Sequence, residues 1–156
     1  DPGMRFSSVN EVLQEMSTRQ FGKSTGDLRF KLIVLNGPDE GKEFNITNLS
    51  HFKNKRILTI GRFDLLNPLI NDIPVNEGST TYLSLRHATL ECIMKDNTPV
   101  WYVRDGQWYI KDDKKGWYLS RNGIKVNDVR IDQSGVELKV NDIIMIGKIT
   151  IKLVSE

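Results

Sequence analysis

Cysteine and histidine are scarce in this sequence. The 156 residues include one cysteine, Cys92, and two histidines, His51 and His87. A single cysteine excludes an internal disulfide and is compatible with a reducing, cytoplasmic setting. Zinc-type sites need about four nitrogen or sulfur ligands, more than this chain offers. We therefore expect no metal site and no cofactor.

Long apolar runs and a strong excess of either charge are also absent. No stretch approaches the roughly 20 apolar residues of a membrane-spanning helix, and no signal peptide opens the chain. Lys and Arg number 22 and Asp and Glu 20, so the net charge is +2. That balance argues against broad adhesion to nucleic acid or membranes, although it leaves room for a local cationic pocket. We expect a monomer that binds neither partner.

No motif for catalysis stands out. Ser84 and His87 lie three residues apart, but no nucleophile elbow surrounds the serine and no acid is placed to orient the histidine. "GPDEGK" (37–42) is one residue shorter than a phosphate-binding loop and joins two predicted strands, which indicates a hairpin turn. The adjacent Asp112 and Asp113 are typical of a solvated turn. The sequence predicts a protein that is not an enzyme.

The first 26 residues differ from the rest of the chain. Apolar residues recur at helical spacing within "SSVNEVLQEMSTRQF" (7–21), and Gly22 and Gly26 interrupt the pattern that follows. Residues 1–26 are therefore predicted to be an extension, a short helix plus linker or a disordered segment.

Residues 27–156 carry a β pattern throughout, in which runs of alternating apolar residues are separated by turn residues. About ten to eleven short strands are predicted, and no long helix separates them. This pattern is typical of an all-β sandwich with mostly antiparallel strands. The pair Asn127-Asp128 suits a two-residue hairpin.

The segment "WYVRDGQWYIKDDKKGWYLSRNG" (101–123) contains three Trp-Tyr pairs. Neighbouring side chains in a strand point to opposite faces. Asp105-Gly106 indicates a tight hairpin between the first two strands of this segment. We therefore predict a three-stranded meander whose tryptophans, Trp101, Trp108 and Trp117, face the core. The other face carries Tyr, Arg and Lys, a combination that can stack nucleic-acid bases. Such residues are also ordinary on a solvated sheet face, which the pattern favours.

Three separated stretches each end a strand beside a loop: "TIGRF" (59–63), "LSLRHATL" (83–90) and "SRNGIKVND" (120–128). Sandwich loops cluster at the ends of the fold, so these stretches are expected to converge on one rim. Together they offer guanidinium groups, a hydroxyl and backbone N–H groups, which are the donors that a phosphate requires. The candidate residues are Arg62, Ser84, Arg86, Arg121 and Asn122.

At these residues the sequence resembles the forkhead-associated (FHA) family of phosphothreonine-binding modules. The family pattern appears here as Gly61-Arg62, Ser84-Leu85-Arg86-His87, Asn122-Gly123 and Val126-Asn127. The closing "NDIIMIGKITIKLV" resembles the family's last two strands, with Asn141 at a position where the family has glycine. The resemblance covers roughly residues 28–154.

The resemblance implies a non-catalytic module that binds phosphothreonine-containing segments of Ser/Thr kinase substrates. Arg62 and Ser84 would grip the phosphate, and Asn122 would bond the peptide backbone. His87 would brace the recognition loops, and Gly61 would permit a turn. Gly123 and Asn127 would give the site structural support. The family prefers phosphothreonine to phosphoserine and reads mainly the third residue after it.

This chain departs from the family pattern at three places. Leu85 stands where a cation or Asn is common, so it offers only its backbone N–H. Arg121 stands where Ser or Thr is common, and would either supply the missing charge or select an acidic ligand residue. The segment between Arg62 and Ser84 is long. A phosphate-independent assembly role is the alternative, and Thr18 and Thr25 in the extension are candidates for weak self-recognition.

Overall fold

The computed structural model describes residues 29–156, which form thirteen strands and one short helix. The strands are β1 (Phe30–Val34), β2 (Glu43–Asn45), β3 (Ile57–Arg62), β4 (Ile73–Val75), β5 (Ala88–Lys95), β6 (Thr98–Asp105), β7 (Gln107–Lys111), β8 (Lys114–Tyr118), β9 (Ile124–Val126), β10 (Val129–Ile131), β11 (Val136–Glu137), β12 (Ile143–Ile146) and β13 (Ile149–Ser155). The helix is α1 (Ile46–Lys53). The predicted extension and its two threonines lie outside the described residues.

Two sheets enclose the core, as the predicted sandwich requires. One has the strand order β10-β9-β12-β13-β1-β2 and the other β11-β6-β5-β3-β4. All pairings are antiparallel except that of β3 with β4. Leu32 and Ile151 from the first sheet and Leu58 and Val103 from the second belong to one buried cluster. The all-β class and its mostly antiparallel sheets are confirmed.

Three hairpins turn on two consecutive residues with positive φ, the signature of tight type I′ turns. These pairs are Asp96-Asn97, Asp112-Asp113 and Asn127-Asp128. Asn and Asp tolerate this left-handed backbone better than most residues with a side chain. The hairpin predicted at residues 127–128 is therefore confirmed, and Asp112-Asp113 lie at a turn as expected.

Helix α1 contradicts the prediction that residues from 27 onward are β throughout. Asn45 caps it by accepting a hydrogen bond from the N–H of Asn48 at 2.8 Å. Asn54 ends the helix in a left-handed conformation with φ 52°. The alternating pattern in "KEFNIT" resembles a strand, but the Asn cap converts its last residues into the first turn of the helix.

The predicted three-stranded meander is wrong. β6 pairs with β5 and β11, whereas β7 and β8 form a separate two-stranded sheet. Trp101 is only 3% exposed, as expected, but Trp108 is 64% exposed and its neighbour Ile110 is also exposed. Gly106, with φ 87°, breaks the ladder between β6 and β7 rather than closing a hairpin. Alternation identified the strands and the side chains that share a face, but not the sheet that each strand joins or whether its apolar face is buried.

No helix among residues 29–156 is long and apolar enough to cross a bilayer.

Candidate functional site

The three predicted stretches contact one another at three consecutive residues, 82–84, in the loop before β5. The carbonyl of Tyr82 accepts a hydrogen bond from Asn122 Nδ2 at 2.9 Å, and the carbonyl of Leu83 accepts one from Arg62 Nη1 at 3.1 Å. Ser84 Oγ accepts one from the backbone N–H of Arg121 at 3.0 Å. The three predicted stretches therefore meet at one place.

Ser84 is oriented at both its backbone and its side chain. Its carbonyl accepts from the backbone N–H of Arg62 at 3.0 Å, so the end of β3 and this loop are directly joined. Because Oγ already accepts the Arg121 N–H, the hydroxyl hydrogen remains available for an anion. Within residues 29–156 the backbone N–H of Leu85 has no hydrogen-bond partner. Ser84 and Leu85 thus present neighbouring donors.

His87 lies beneath the site and links the loop that contains Ser84 to the loop that contains Gly123. Its Nδ1 accepts from the backbone N–H of Ser84 at 2.9 Å, so Nε2 carries the hydrogen and donates to the carbonyl of Gly123 at 2.8 Å. The ring is fully buried. Burial lowers the pKa of His87 below its ordinary 6.5, although the bond to Gly123 opposes the shift. With both nitrogens engaged in this way, His87 is not placed to act as a base for the Ser84 hydroxyl.

The lowered pKa of His87 predicts that acid destabilises this site. Below its ordinary pKa of 6.5 the unfolded chain binds a proton that the folded ring resists. The free energy of unfolding should therefore have its full value above pH 6.5. It should decrease as the pH falls from there toward the pKa of His87 in the folded protein. Denaturant unfolding at several pH values between about pH 7.5 and about pH 5 measures this loss of stability. NMR titration of the ring protons reports the protonation of His87 directly.

The matched control for the acid effect is His51→Gln. The pKa of His51 is also lowered, because its ring is partly desolvated even though the residue as a whole is exposed. This variant should keep most of the acid sensitivity if His87 is responsible. A flat pH profile in His51→Gln would instead assign the effect to His51.

Gly61 has a different role from the turn that the resemblance implied. It lies inside β3, and its backbone does not have a positive φ. A Cβ at this position would lie 2.0 Å from the carbonyl oxygen of Leu85 and 2.5 Å from Asn71 Nδ2. Only glycine allows the loop carrying Ser84 to approach β3 this closely. Its contribution is therefore close approach rather than turn geometry.

Buried amide side chains beneath the rim were missed by sequence reasoning. Asn71 Nδ2 donates to the carbonyl of Leu85 at 2.7 Å, and Asn71 Oδ1 accepts from Gln107 Nε2 at 2.9 Å. Gln107 also donates to the carbonyls of Ile60 and Ala88, which joins β3 to β5. No local pattern distinguishes these amides from loop and strand residues, because their partners are 14 to 47 residues away.

Two buried carboxylates, Glu77 and Asp105, fix other loops next to the site. Sequence reasoning did not identify them either. Glu77 accepts from the backbone N–H groups of Leu83 at 2.8 Å and Lys148 at 2.9 Å. Asp105 accepts from the Ser120 hydroxyl at 2.6 Å. "DG" at 105–106 indicated a hairpin turn, and that signal concealed the structural role of the aspartate.

Arg86 and Arg121 take different positions around this site. The guanidinium carbon of Arg86 lies 4.8 Å from the ring centroid of Tyr109, so this side chain turns toward β7. Arg121 is exposed and contributes its backbone N–H to Ser84. The side chains of both arginines therefore lie beside residues 82–84, and neither takes part in the hydrogen bonds that join the three stretches there.

The two supporting residues predicted near β9 have clear structural roles. Gly123 adopts φ 79° and donates its N–H to Ser120 Oγ at 2.9 Å. Asn127 Nδ2 donates to Asp142 Oδ1, and its Oδ1 accepts from the backbone N–H of Ile143. Asn127 therefore fixes the hairpin against the start of β12. The left-handed Asn141, with φ 77°, accounts for the glycine usual at that position.

The Tyr, Arg and Lys stripe considered for nucleic acid does not form one continuous surface. Arg104 on β6 pairs with Glu91 at 3.1 Å and also donates to the carbonyl of Ser134. Tyr109 and Tyr118, whose ring centroids lie 5.0 Å apart, belong to the separate β7–β8 sheet. The residues of the predicted stripe are therefore divided between β6 and the separate β7–β8 sheet.

Among the described residues, no group of three or more His, Cys, Asp or Glu side chains could hold a metal ion. The site instead presents the Arg62 guanidinium, the Ser84 hydroxyl and the backbone N–H of Leu85, which is free within residues 29–156. These groups suit an oxyanion such as a phosphoryl group.

Comparison with known proteins gives a family-level match. A family model described as the FHA domain matches residues 58–147, more than half of the chain. No curated protein matches the chain.

Solved structures share the fold at low sequence identity. Full-length yeast Pml1 matches with a TM-score of 0.60 and 17% identity over 86% of this chain and 87% of that chain. A second Pml1 structure describes a splicing factor and its integration into the RES complex. The FHA domain of the CT664 protein from Chlamydia trachomatis has a TM-score of 0.53 and 25% identity over 81% and 96%. The MEK1 FHA domain, solved with a phosphothreonine peptide of HOP1, has a TM-score of 0.52 and 17% identity over 80% and 94%.

Proposed function

The chain belongs to the FHA domain family, and we propose that it binds phosphothreonine-containing protein segments without catalysing a reaction. The family is a non-catalytic interaction module, and some relatives of the same fold have been solved with phosphorylated peptides. In this proposal the ligands are Ser/Thr kinase substrates, which places the protein in kinase signalling. A free cysteine, Cys92, is compatible with action in the reducing cytoplasm.

The observation that carries the proposal is the convergence of three separated stretches on residues 82–84. Arg62, Asn122 and the backbone of Arg121 each bond one of these consecutive residues. A phosphorylated threonine brings a charge of about −1.5 to −2 and three acceptor oxygens. A guanidinium beside a hydroxyl provides charge-assisted donors for such a group.

Four of the predicted binding residues have hydrogen-bond donors that remain available for a ligand. Arg62 uses one Nη1 bond to Leu83, and a guanidinium has about five N–H donors. Ser84 keeps its hydroxyl hydrogen, and Leu85 keeps its backbone N–H. Asn122 uses one amide N–H on Tyr82 and retains the other N–H and its carbonyl oxygen. We assign the phosphate to Arg62, Ser84 and Leu85, and the peptide backbone to Asn122.

The direct test compares one peptide sequence in its phosphothreonine, phosphoserine and unmodified threonine forms by isothermal titration calorimetry. Removing the phosphate should weaken binding at least about 100-fold, because several charged hydrogen bonds contribute about 1.5–3 kcal/mol each. The phosphoserine form should fall between the other two. Equal affinity for the phosphorylated and unmodified peptides would refute phosphate recognition.

Phosphate-independent assembly is the second candidate function. Leu85 favours it, because this apolar residue adds no charge to the site. The similarity to Pml1, whose structure describes integration into a complex, points the same way. This candidate gains support if an unphosphorylated partner binds and the Arg62→Ala variant retains that binding.

A further inference from the structure

The loop between β3 and β4 exposes three leucines. Leu65, Leu66 and Leu69 are 80%, 94% and 88% exposed. We call residues 63–72 the leucine loop. Single exposed apolar residues are ordinary on protein surfaces, but several in one short loop are typical of an interaction surface.

Both ends of the leucine loop contact the candidate phosphate site. The loop begins directly after Arg62, whose guanidinium bonds Leu83. It returns at Asn71, whose Nδ2 donates to the carbonyl of Leu85 at 2.7 Å. The exposed leucines therefore lie on a loop whose two ends are joined to the residues that would hold a phosphate.

Hydrogen bonds within the loop fix its shape. Asp64 Oδ1 accepts from the N–H of Leu66 at 3.0 Å, and the Asp64 carbonyl accepts from the N–H of Asn67 at 3.1 Å. At the far end, Asp72 bonds Thr59 and pairs with Lys53 at 2.8 Å. The leucines are thus held in place outside the core, and a partner would pay little to order them.

We propose that the leucine loop is a second contact surface for the bound phosphothreonine segment and selects a large apolar side chain near the phosphothreonine. The inference rests on the proposed function. An extended peptide advances about 3.3 Å per residue. The first exposed leucine, Leu65, lies three residues after Arg62, so a ligand residue about two to four positions from the phosphothreonine spans a comparable length of chain.

The charge around the loop favours this occupant over a second copy of the chain. A symmetric contact centred on the leucines would bring the Arg62 and Arg121 of two copies toward each other. A phosphorylated segment has the opposite charge next to its apolar residue. It would therefore satisfy the cationic rim and cover the leucines in one binding event.

The test uses a library of peptides with one fixed phosphothreonine and randomised flanks, applied to the full chain. Wild type should select Leu, Ile, Met or Phe at one flanking position. The triple variant Leu65→Ser, Leu66→Ser, Leu69→Ser should lose that selection and bind the selected peptide about tenfold more weakly. Its affinity for the same peptide with Ser at that position should match wild type.

The matched control is Phe52→Ser, which removes an equally exposed apolar side chain from α1, outside the proposed site. It should leave the selection unchanged. Binding of phosphothreonine peptides without apolar selection, or selection that survives the triple variant, overturns this inference alone. Absence of any phosphothreonine binding overturns the proposed function and this inference together. A dimer of wild type that the triple variant dissolves would assign the loop to self-association instead.

Discussion

Replacing Arg62 with alanine should reduce binding of phosphothreonine peptides about 30-fold or more. Arg62 is partly buried and its guanidinium is held by a bond to the carbonyl of Leu83, so it would meet the phosphate with little reordering. Truncating one partner of a hydrogen-bonded charge pair costs about 2–5 kcal/mol. Calorimetric titration of one phosphothreonine peptide into wild type and variant measures this loss.

Stability should change far less than binding in the same variant. The protein loses one side-chain hydrogen bond, which contributes about 0.5–1.5 kcal/mol. Arg62→Lys keeps the charge but not the planar fork, so its affinity should lie between wild type and Arg62→Ala. Arg56→Ala removes an exposed arginine elsewhere and controls for net charge. Unchanged affinity in Arg62→Ala, with the fold intact, would contradict the assigned site.

Gly61→Ala should be the most damaging small substitution in the rim. The added Cβ would lie 2.0 Å from the backbone oxygen of Leu85, a contact that no rotamer change relieves. Overpacking of this kind costs about 1–3 kcal/mol and occasionally more. The displaced loop carries Ser84, so phosphopeptide binding should weaken together with stability. Denaturant unfolding and peptide titration on the same variant measure both effects.

Gly116→Ala is the matched control for that prediction. Its new Cβ would meet Tyr118 no closer than 3.8 Å, an ordinary contact. Its stability should therefore stay within about 1 kcal/mol of wild type. If Gly61→Ala unfolded at the same denaturant concentration as Gly116→Ala, the close approach of β3 to the Leu85 loop would be wrong.

The succession of strands along the chain was accessible from local sequence, and so were the candidate residues of the proposed site. Alternation in "HATLECIMK" predicts β5, and the short β4 follows from "NDIPV". The Asn-Asp pair at 127–128 predicts its hairpin, because the required positive φ is a property of the residues themselves. The proximity of Arg62, Ser84 and Asn122 followed from their positions at strand ends together with the family resemblance.

Local sequence failed where a residue's role depended on a distant partner. Trp108 has the alternation of a core strand yet is exposed, because β7 pairs with β8 alone. Helix α1 begins where the Asn45 side chain accepts a hydrogen bond from the N–H of Asn48, and the strand-like pattern of the sequence there gave no sign of this cap. The role assigned to Gly61 was wrong, since the group that requires glycine there belongs to Leu85 on another loop.

By itself, the sequence determined the all-β class, two of the hairpin turns and the donors available for an anion, because periodicity, backbone preference and side-chain chemistry are local properties. Only the tertiary structure decided how those donors are held. Asn71, Glu77, Asp105 and Gln107 fix the rim through bonds to groups far away in the chain. Such bonds form only when the two sheets pack together, and for that reason no local sequence pattern predicts them.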